Sequence, residues 1–337
     1  MSKENQNLTF LTREEDIGKR LDVFLSERVE EWSRSRLKKL IDDGDVLVNG
    51  GAIKSSYKLR ANDEISVDLV FSDADDFELE DIPLDIVFED EFLAVINKPA
   101  GMIVHPGAGV TGGTLANAIA WHFYRGKNLP QWREGAKEEE AETRPQGSVP
   151  EGRSNRIGIV HRLDKETSGL IVVAKNELTL EKLSAQFRDR KVRKSYVALV
   201  HGFVRKLAGK IEEPIARDRS NRVKMAVNKN GRNALSVYKV RQRFERFTLL
   251  DVNIKTGRTH QIRVHMAHIN HPIVGDEIYN AGRDNQIPDA GLRKLIKNLN
   301  RFYLHAEKLA FTHPVTKEEL EFVQPLPEEL NELLKLL

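Results

Sequence analysis

From Gly169 onward the chain is dominated by β-branched and aromatic runs. They are GLIVVAKN, KSYVALVHGFV and ALSVYKVRQRFERFTLLDVNIKTG, the last reading as two strands with a short turn near Phe244. The hairpin in the last of these points to a mostly antiparallel sheet rather than to alternating βαβ units. After Gly257 the period changes. Ile262, Met266 and Ile269 recur at spacings of four and three, so THQIRVHMAHI predicts a helix, with Thr259 a candidate cap. The fold class that follows is α+β: a mixed, mostly antiparallel central sheet flanked by helices.

The first of these runs is preceded by HRLDKE, in which His161, Arg162, Asp164, Lys165 and Glu166 fall within six positions. Arg162 and Lys165 beside Asp164 favour its ionised form. A restrained carboxylate on a loop that feeds a strand serves equally as a nucleophile, as a general base or as one half of a structural ion pair. Charge pattern alone does not choose among these.

Composition removes several chemistries. The 337 residues contain no cysteine, which excludes disulfides, thiol nucleophiles and cysteine metal ligands. His260, His265, His268 and His271 lie close to Asp276, but HMAH lacks the i, i+4 pair and the glutamate of a zincin. HPGAGVTGG has no Lys-Ser/Thr after its glycines and reads as a turn, and no Gly-x-Ser-x-Gly elbow is present. The polar start MSKENQNLTF has no apolar core of a signal peptide, and the Leu170–Ala174 run is too short to span a bilayer. A cytoplasmic location is the expectation.

The net charge of +2 is a cancellation. No Lys or Arg falls between Arg60 and Lys98, where Asp73, Asp75, Asp76, Glu78, Glu80, Asp81 and Asp85 accumulate. From Arg188 to Arg246 the cations gather instead, among them Arg190, Arg193, Lys194, Arg217, Arg219, Arg222 and Lys224. That asymmetry suits a polyanionic partner, and a solvated basic face explains it as well.

Residues 14–71 read as a small module. DIGKRLDVFLSERV places Ile17, Leu21, Phe24 and Leu25 on one helical face. SRSRLKKLIDDG carries a possible Ser33 cap and a second helix stopping at Gly44, and DVLVNGGAIK is a strand, a turn and a return strand. This order resembles the S4 RNA-binding domain. The resemblance implies that Arg34, Arg36, Lys38 and Lys39 contact phosphate, which positions an RNA without reading its sequence. The acidic residues 72–84 read as a linker into a domain over 85–330. Within it, residues 125–156 hold three prolines and almost no aliphatic side chain, and so predict a disordered, charged surface insertion.

The segment HRLDKETSGL resembles the signature of the RluA-type pseudouridine synthases, which isomerise uridine to pseudouridine in RNA. INKPAGMIVHPGAG, RKSYVALVHG, GRTHQIRVHMAHINHPIVGD and LHAEKLAFTHP resemble the family's other motifs, in the family's order. HPGAG together with an S4 module is most similar to the RluD branch, which acts on large-subunit ribosomal RNA. The resemblance implies a pseudouridine synthase catalytic domain with Asp164 as the catalytic carboxylate. It implies Tyr196 as the tyrosine that packs on the target base and has been considered a proton acceptor. It further implies Arg263 as the cation paired with the aspartate, and Arg162 as the side chain that fills the gap left by the flipped nucleotide. His161 is then a hydrogen-bonding support, and Ser168 and Gly169 shape the turn. The isomerisation is redox-neutral and leaves the phosphates untouched, so the resemblance implies no cofactor and no metal. It implies an RNA partner, ribosomal RNA or an assembling large subunit, no membrane and a monomer. The rival readings are the same chemistry on another RNA, such as transfer RNA, and a non-catalytic RNA-binding ribosome-assembly factor. The insertion at 125–156 is not part of the family pattern.

Overall fold

The computed structural model describes residues 6–29, 37, 40–41, 44–69, 79–106, 110, 112–125, 158–218, 221 and 224–337. Ser33, Arg34, Arg36, Lys38, Lys39, the insertion after residue 125 and residues 70–78 of the acidic stretch lie outside the described residues. The chain divides into two compact units, residues 1–75 and 76–337. Among the described residues, no helix is long and apolar enough to cross a membrane.

In the first unit, strands β1 (Gln6–Leu11), β2 (Val46–Val48), β3 (Gly51–Ala52) and β4 (Glu64–Leu69) form an antiparallel sheet in the order β1-β4-β2-β3. The β2–β3 turn has Asn49 at φ +52° and Gly50 at φ +75°, the two left-handed positions that a tight right-twisted hairpin needs. Helix α1 (Leu21–Ser26) buries Leu21, Phe24 and Leu25 completely against this sheet, as its spacing predicts. Ile17 does not join them. It sits in the turn before the helix and is 53% exposed, because the helix begins only at Leu21. Leu37, Leu40 and Ile41 complete the core.

The second unit is built on one sheet. In chain order, its strands are β5 (Ile86–Glu89), β6 (Leu93–Lys98), β7 (Ser168–Ala174), β8 (Arg193–His201), β9 (Ala208–Ile211), β12 (Ser236–Arg243), β13 (Phe247–Ile254), β14 (Leu304–Thr312) and β15 (Glu319–Val323). The strand order is β5-β6-β7-β14-β8-β13-β12-β9, with β15 paired to the far part of β14. A separate hairpin, β10 (Ile215–Arg217) with β11 (Met225–Val227), interrupts the sequence between β9 and β12. Every pairing in the main sheet is antiparallel except β7 with β14, where His305 faces Ser168 and Ala306 faces Gly169. The β12–β13 hairpin turns between Arg243 and Phe247, where the sequence places it.

Strand β7 is buried at all seven positions, which accounts for its unbroken apolar run. Its alternate residues serve two different cores. Ile171 and Val173 pack with Leu115, Ile119 and Phe123 of helix α2 (Leu115–Arg125). Leu170, Val172 and Ala174 pack with Leu183 of helix α3 (Glu177–Arg188) and with Leu309 and Phe311 of β14. With a helix on each side, β7 is held rigidly, and the loop that enters it is the charged one.

Candidate active site

That loop doubles back along the strand it feeds. Ile159 bridges Val173, and Ala174 N–H donates to the Gly158 carbonyl at 2.8 Å. A turn closes at its far end, where Thr167 N–H donates to the Asp164 carbonyl at 3.1 Å. The next carbonyl, that of Lys165, accepts from Gly101 N–H at 2.8 Å and from Lys98 Nζ at 3.1 Å. Lys98 is fully buried and gives its remaining protons to the carbonyls of Pro99 (2.7 Å) and Met102 (2.9 Å). One ammonium therefore ties the loop after β6 to the turn that carries Asp164. Burial, with Arg301 adding, pushes the Lys98 pKa down to about 7, and Asp164 opposes that shift.

His161 is a support. Its Nε2 accepts from Val172 N–H at 3.1 Å, so its proton sits on Nδ1, and its ring stacks on Phe187 with centroids 4.6 Å apart. Burial, followed by the charge of Lys194, pushes its pKa down to about 3, so it is neutral.

The ion partner of Asp164 comes from elsewhere in the chain. Helix α4 (Gln261–His268) carries Arg263, whose Nη1 lies 3.3 Å from Asp164 Oδ2. Arg162 and Lys165, the sequence neighbours of Asp164, are exposed instead, since adjacent residues of an extended loop point in different directions. Arg263 is fixed first by Asp276, Nε to Oδ2 at 2.6 Å and Nη2 to Oδ1 at 2.8 Å. Its guanidinium also stacks over Phe302 (4.3 Å) and Tyr279 (5.0 Å). Asp276 in turn accepts from the N–H groups of Ile278 and Tyr279. The cation is thus held in place before it meets Asp164.

Helix α4 does not start on a Thr259 cap. His260 occupies the N-cap in the left-handed region at φ +55°, with no side-chain cap. The loop before the helix is held by Gln261, whose Oε1 accepts from Thr256 Oγ1 and Arg258 N–H and whose Nε2 donates to the Leu235 carbonyl. The histidines next to the helix do structural work. His265 Nε2 donates to the Glu213 carbonyl and its Nδ1 accepts from Ser236 Oγ, while His271 Nδ1 donates to the His201 carbonyl.

Tyr196, on β8, is 6% exposed. Burial, reinforced by the negative charge of Asp164, pushes its phenol well above the ordinary value. Asp164, Tyr196, Arg263 and Arg162 all line one cavity of about 550 Å³, with His161 and His260. Tyr279 reaches this cavity indirectly. Its hydroxyl accepts from Met225 N–H at 2.8 Å and contacts His260 Nδ1 at 2.9 Å.

Two family models match this chain: "RNA pseudouridylate synthase" over residues 92–268 and "S4 domain" over residues 19–65. The chain belongs to the RNA pseudouridylate synthase family. An RNA pseudouridine synthase of Bacillus subtilis, YlyB, is 39% identical over 96% of this chain and 95% of its own length. The Escherichia coli K12 protein named ribosomal large subunit pseudouridine synthase D is 38% identical over 98% of this chain and 94% of its own. Among solved structures, human RNA pseudouridylate synthase domain containing 4 aligns with a TM-score of 0.53 at 26% identity, covering 74% of this chain and 91% of that one. Human RNA pseudouridylate synthase domain containing 1 shares the fold at TM-score 0.52, over 75% and 89% of the two chains.

This pseudouridine synthase is an isomerase with an S4 module. Its cavity gathers the four residues singled out in the catalytic domain. Sequence reasoning missed Asp276 as the anchor of Arg263, weighing it only as a metal ligand. His260 too was weighed only as a metal ligand, and Lys98 was missed. The signal for Asp276 was present, since HPIVGD ends a quoted motif on a carboxylate thirteen positions after Arg263.

Proposed function

We propose that this pseudouridine synthase modifies uridines of large-subunit ribosomal RNA, with Asp164 as the catalytic carboxylate. The observation that carries the reading is the pairing at the cavity wall: Asp164 is presented by a turn locked to β6 and β7, 3.3 Å from an arginine already bound to Asp276. A stacked uridine hides its ribose C1′ and base C5, so the nucleotide must be extruded, at a cost of a few kcal/mol. The base rests on Tyr196, and Arg162 at the exposed mouth enters the vacated stack, for which a planar guanidinium is suited. Asp164 then acts on the ribose while the C1′–N1 bond breaks. The freed base turns, a C1′–C5 bond forms, and the C5 proton is lost while N1 regains one. Tyr196 is a neutral phenol because burial disfavours its phenolate, so the reading gives it the role of platform and hydrogen-bonding group in place of base. No electron is gained or lost, and the reading invokes neither cofactor nor metal. Ribosomal RNA as target is supported by the names of the relatives at 38–40% identity and by the S4 module.

The test is tritium release from large-subunit RNA labelled at uridine C5, with wild type and Asp164→Asn side by side. Wild type releases tritium and the variant releases none, while both bind the RNA to within about twofold. Normal turnover by the variant would remove Asp164 from the chemistry. Release from transfer RNA alone would move the target, and release from no RNA would leave a binding factor.

A further inference from the structure

The cavity is strongly positive and holds an ammonium that, among the described residues, has no hydrogen-bond or ion-pair partner. Lys194 lies on β8 two residues before Tyr196, so the two side chains leave the same face of the strand with their Cα atoms about 7 Å apart. Among the described residues Lys194 accepts its company only from a ring, its Nζ standing 5.3 Å from the Phe187 centroid, and it makes no hydrogen bond and no ion pair. A Cβ built on Gly257 would stand 3.8 Å from that Nζ, which places the ammonium against the turn before α4. Burial alone pushes its pKa down to about 8. Half-buried at the cavity and with no carboxylate beside it among the described residues, the ammonium is open to an incoming anion. The neighbours do not offer an anion. Asp164 is already held by Arg263, and the other charged side chains lining the cavity are Arg162, Arg188, Lys255 and Arg258. His161 is neutral with its acceptor nitrogen taken by Val172.

We propose that Lys194 binds the phosphodiester of the target nucleotide, the one whose base rests on Tyr196. The inference deepens the reading of Tyr196 and Asp164 given above and rests on it. With the base on Tyr196, the backbone of the same nucleotide passes over the preceding same-face residue of β8, and that residue is the cation without an anionic partner among the described residues. The phosphate supplies the oxygens Lys194 lacks and fits the excess of positive charge around it. Phe187 holds the aliphatic stem and the ammonium in position before RNA arrives.

The experiment uses the full chain as wild type, Lys194→Met and Lys194→Arg, with a large-subunit RNA transcript labelled at uridine C5. Initial rates of tritium release are measured against RNA concentration at several KCl concentrations, with filter binding of the same transcript in parallel. In Lys194→Met the loss falls on KM, about tenfold, rather than on kcat, and the slope of log affinity against log salt becomes shallower by about 0.7, the value for one phosphate on a single strand. Lys194→Arg restores the slope. An unchanged KM and slope would overturn the proposal. So would a fall in kcat at constant KM, or a loss that Lys194→Arg leaves unrescued together with a lowered melting temperature, which would make the lysine structural. A wild type that binds the transcript without releasing tritium would overturn the target proposed above, and the binding slopes would still decide Lys194.

Discussion

Arg263 touches two carboxylates, and they do different work. Asp276 takes two short bonds from it inside the protein, whereas Asp164 receives one longer contact at the cavity. Removing charge from the first leaves a buried guanidinium under-compensated, so Asp276→Asn is expected to cost about 3 kcal/mol of stability in urea unfolding. It is also expected to lower kcat by about a hundredfold through misplacement of the cation, with RNA affinity nearly unchanged. His161 gives a pH signature. Its folded pKa of about 3 lies below the ordinary value of 6.5. The unfolded chain therefore binds the extra proton first as pH falls, and stability present above pH 6.5 is lost between there and pH 3. Between pH 8 and pH 5.5 wild type should lose about 1 kcal/mol more than His161→Gln, measured by urea unfolding. At this scale the motifs marked Asp164, Tyr196 and Arg263 as candidates, and the structure brings the three to one cavity, whereas charge adjacency misled. Arg162 and Lys165 are next to Asp164 in the chain, yet the cation that reaches it lies 99 positions away.

Strand β7 shows what periodicity tells and what it conceals. An unbroken apolar run identifies a strand, but not that its alternate residues feed two cores, one under each helix. Its entry depends on Gly169, at φ +110° with an added Cβ only 2.3 Å from the Ala306 carbonyl oxygen. Gly169→Ala is therefore expected to force β7 from β14 and to destabilise by about 3 kcal/mol or more, read as a lowered urea midpoint with an unchanged slope. The start of α4 was misread because threonine is a usual cap. Here the Gln261 side chain organises the turn, and His260 accepts a left-handed backbone that carries it to the cavity. Nothing in a hydrophobic pattern reports such a bond from a side chain to its own preceding loop. Ile17 fails for the related reason that its spacing fits a helix which begins four residues later.

Across the molecule, the uneven charge along the chain fits an RNA enzyme with an S4 module. Replacing Arg34, Arg36, Lys38 and Lys39 by glutamine is expected to weaken RNA binding at least tenfold and to flatten its salt dependence, with kcat at saturating RNA unchanged. Filter binding over a KCl series checks it, and an unaltered slope would mean that these side chains do not meet the backbone. The strand order was beyond the reach of sequence, because pairing between residue 168 and residue 305 leaves no local trace. That order has a further consequence for how the enzyme comes into being. Strand β14 is inserted between β7, which follows the aspartate, and β8, which carries the tyrosine. During synthesis both neighbours leave the ribosome more than a hundred residues before the strand that joins them, at the usual pace of about 5–20 residues per second. The nascent chain waits for several seconds with two apolar edges open and the two walls of the cavity unjoined. The cavity is thus incomplete until β14 has been made, and a premature stop before Leu304 yields a chaperone client in place of a weakened catalyst.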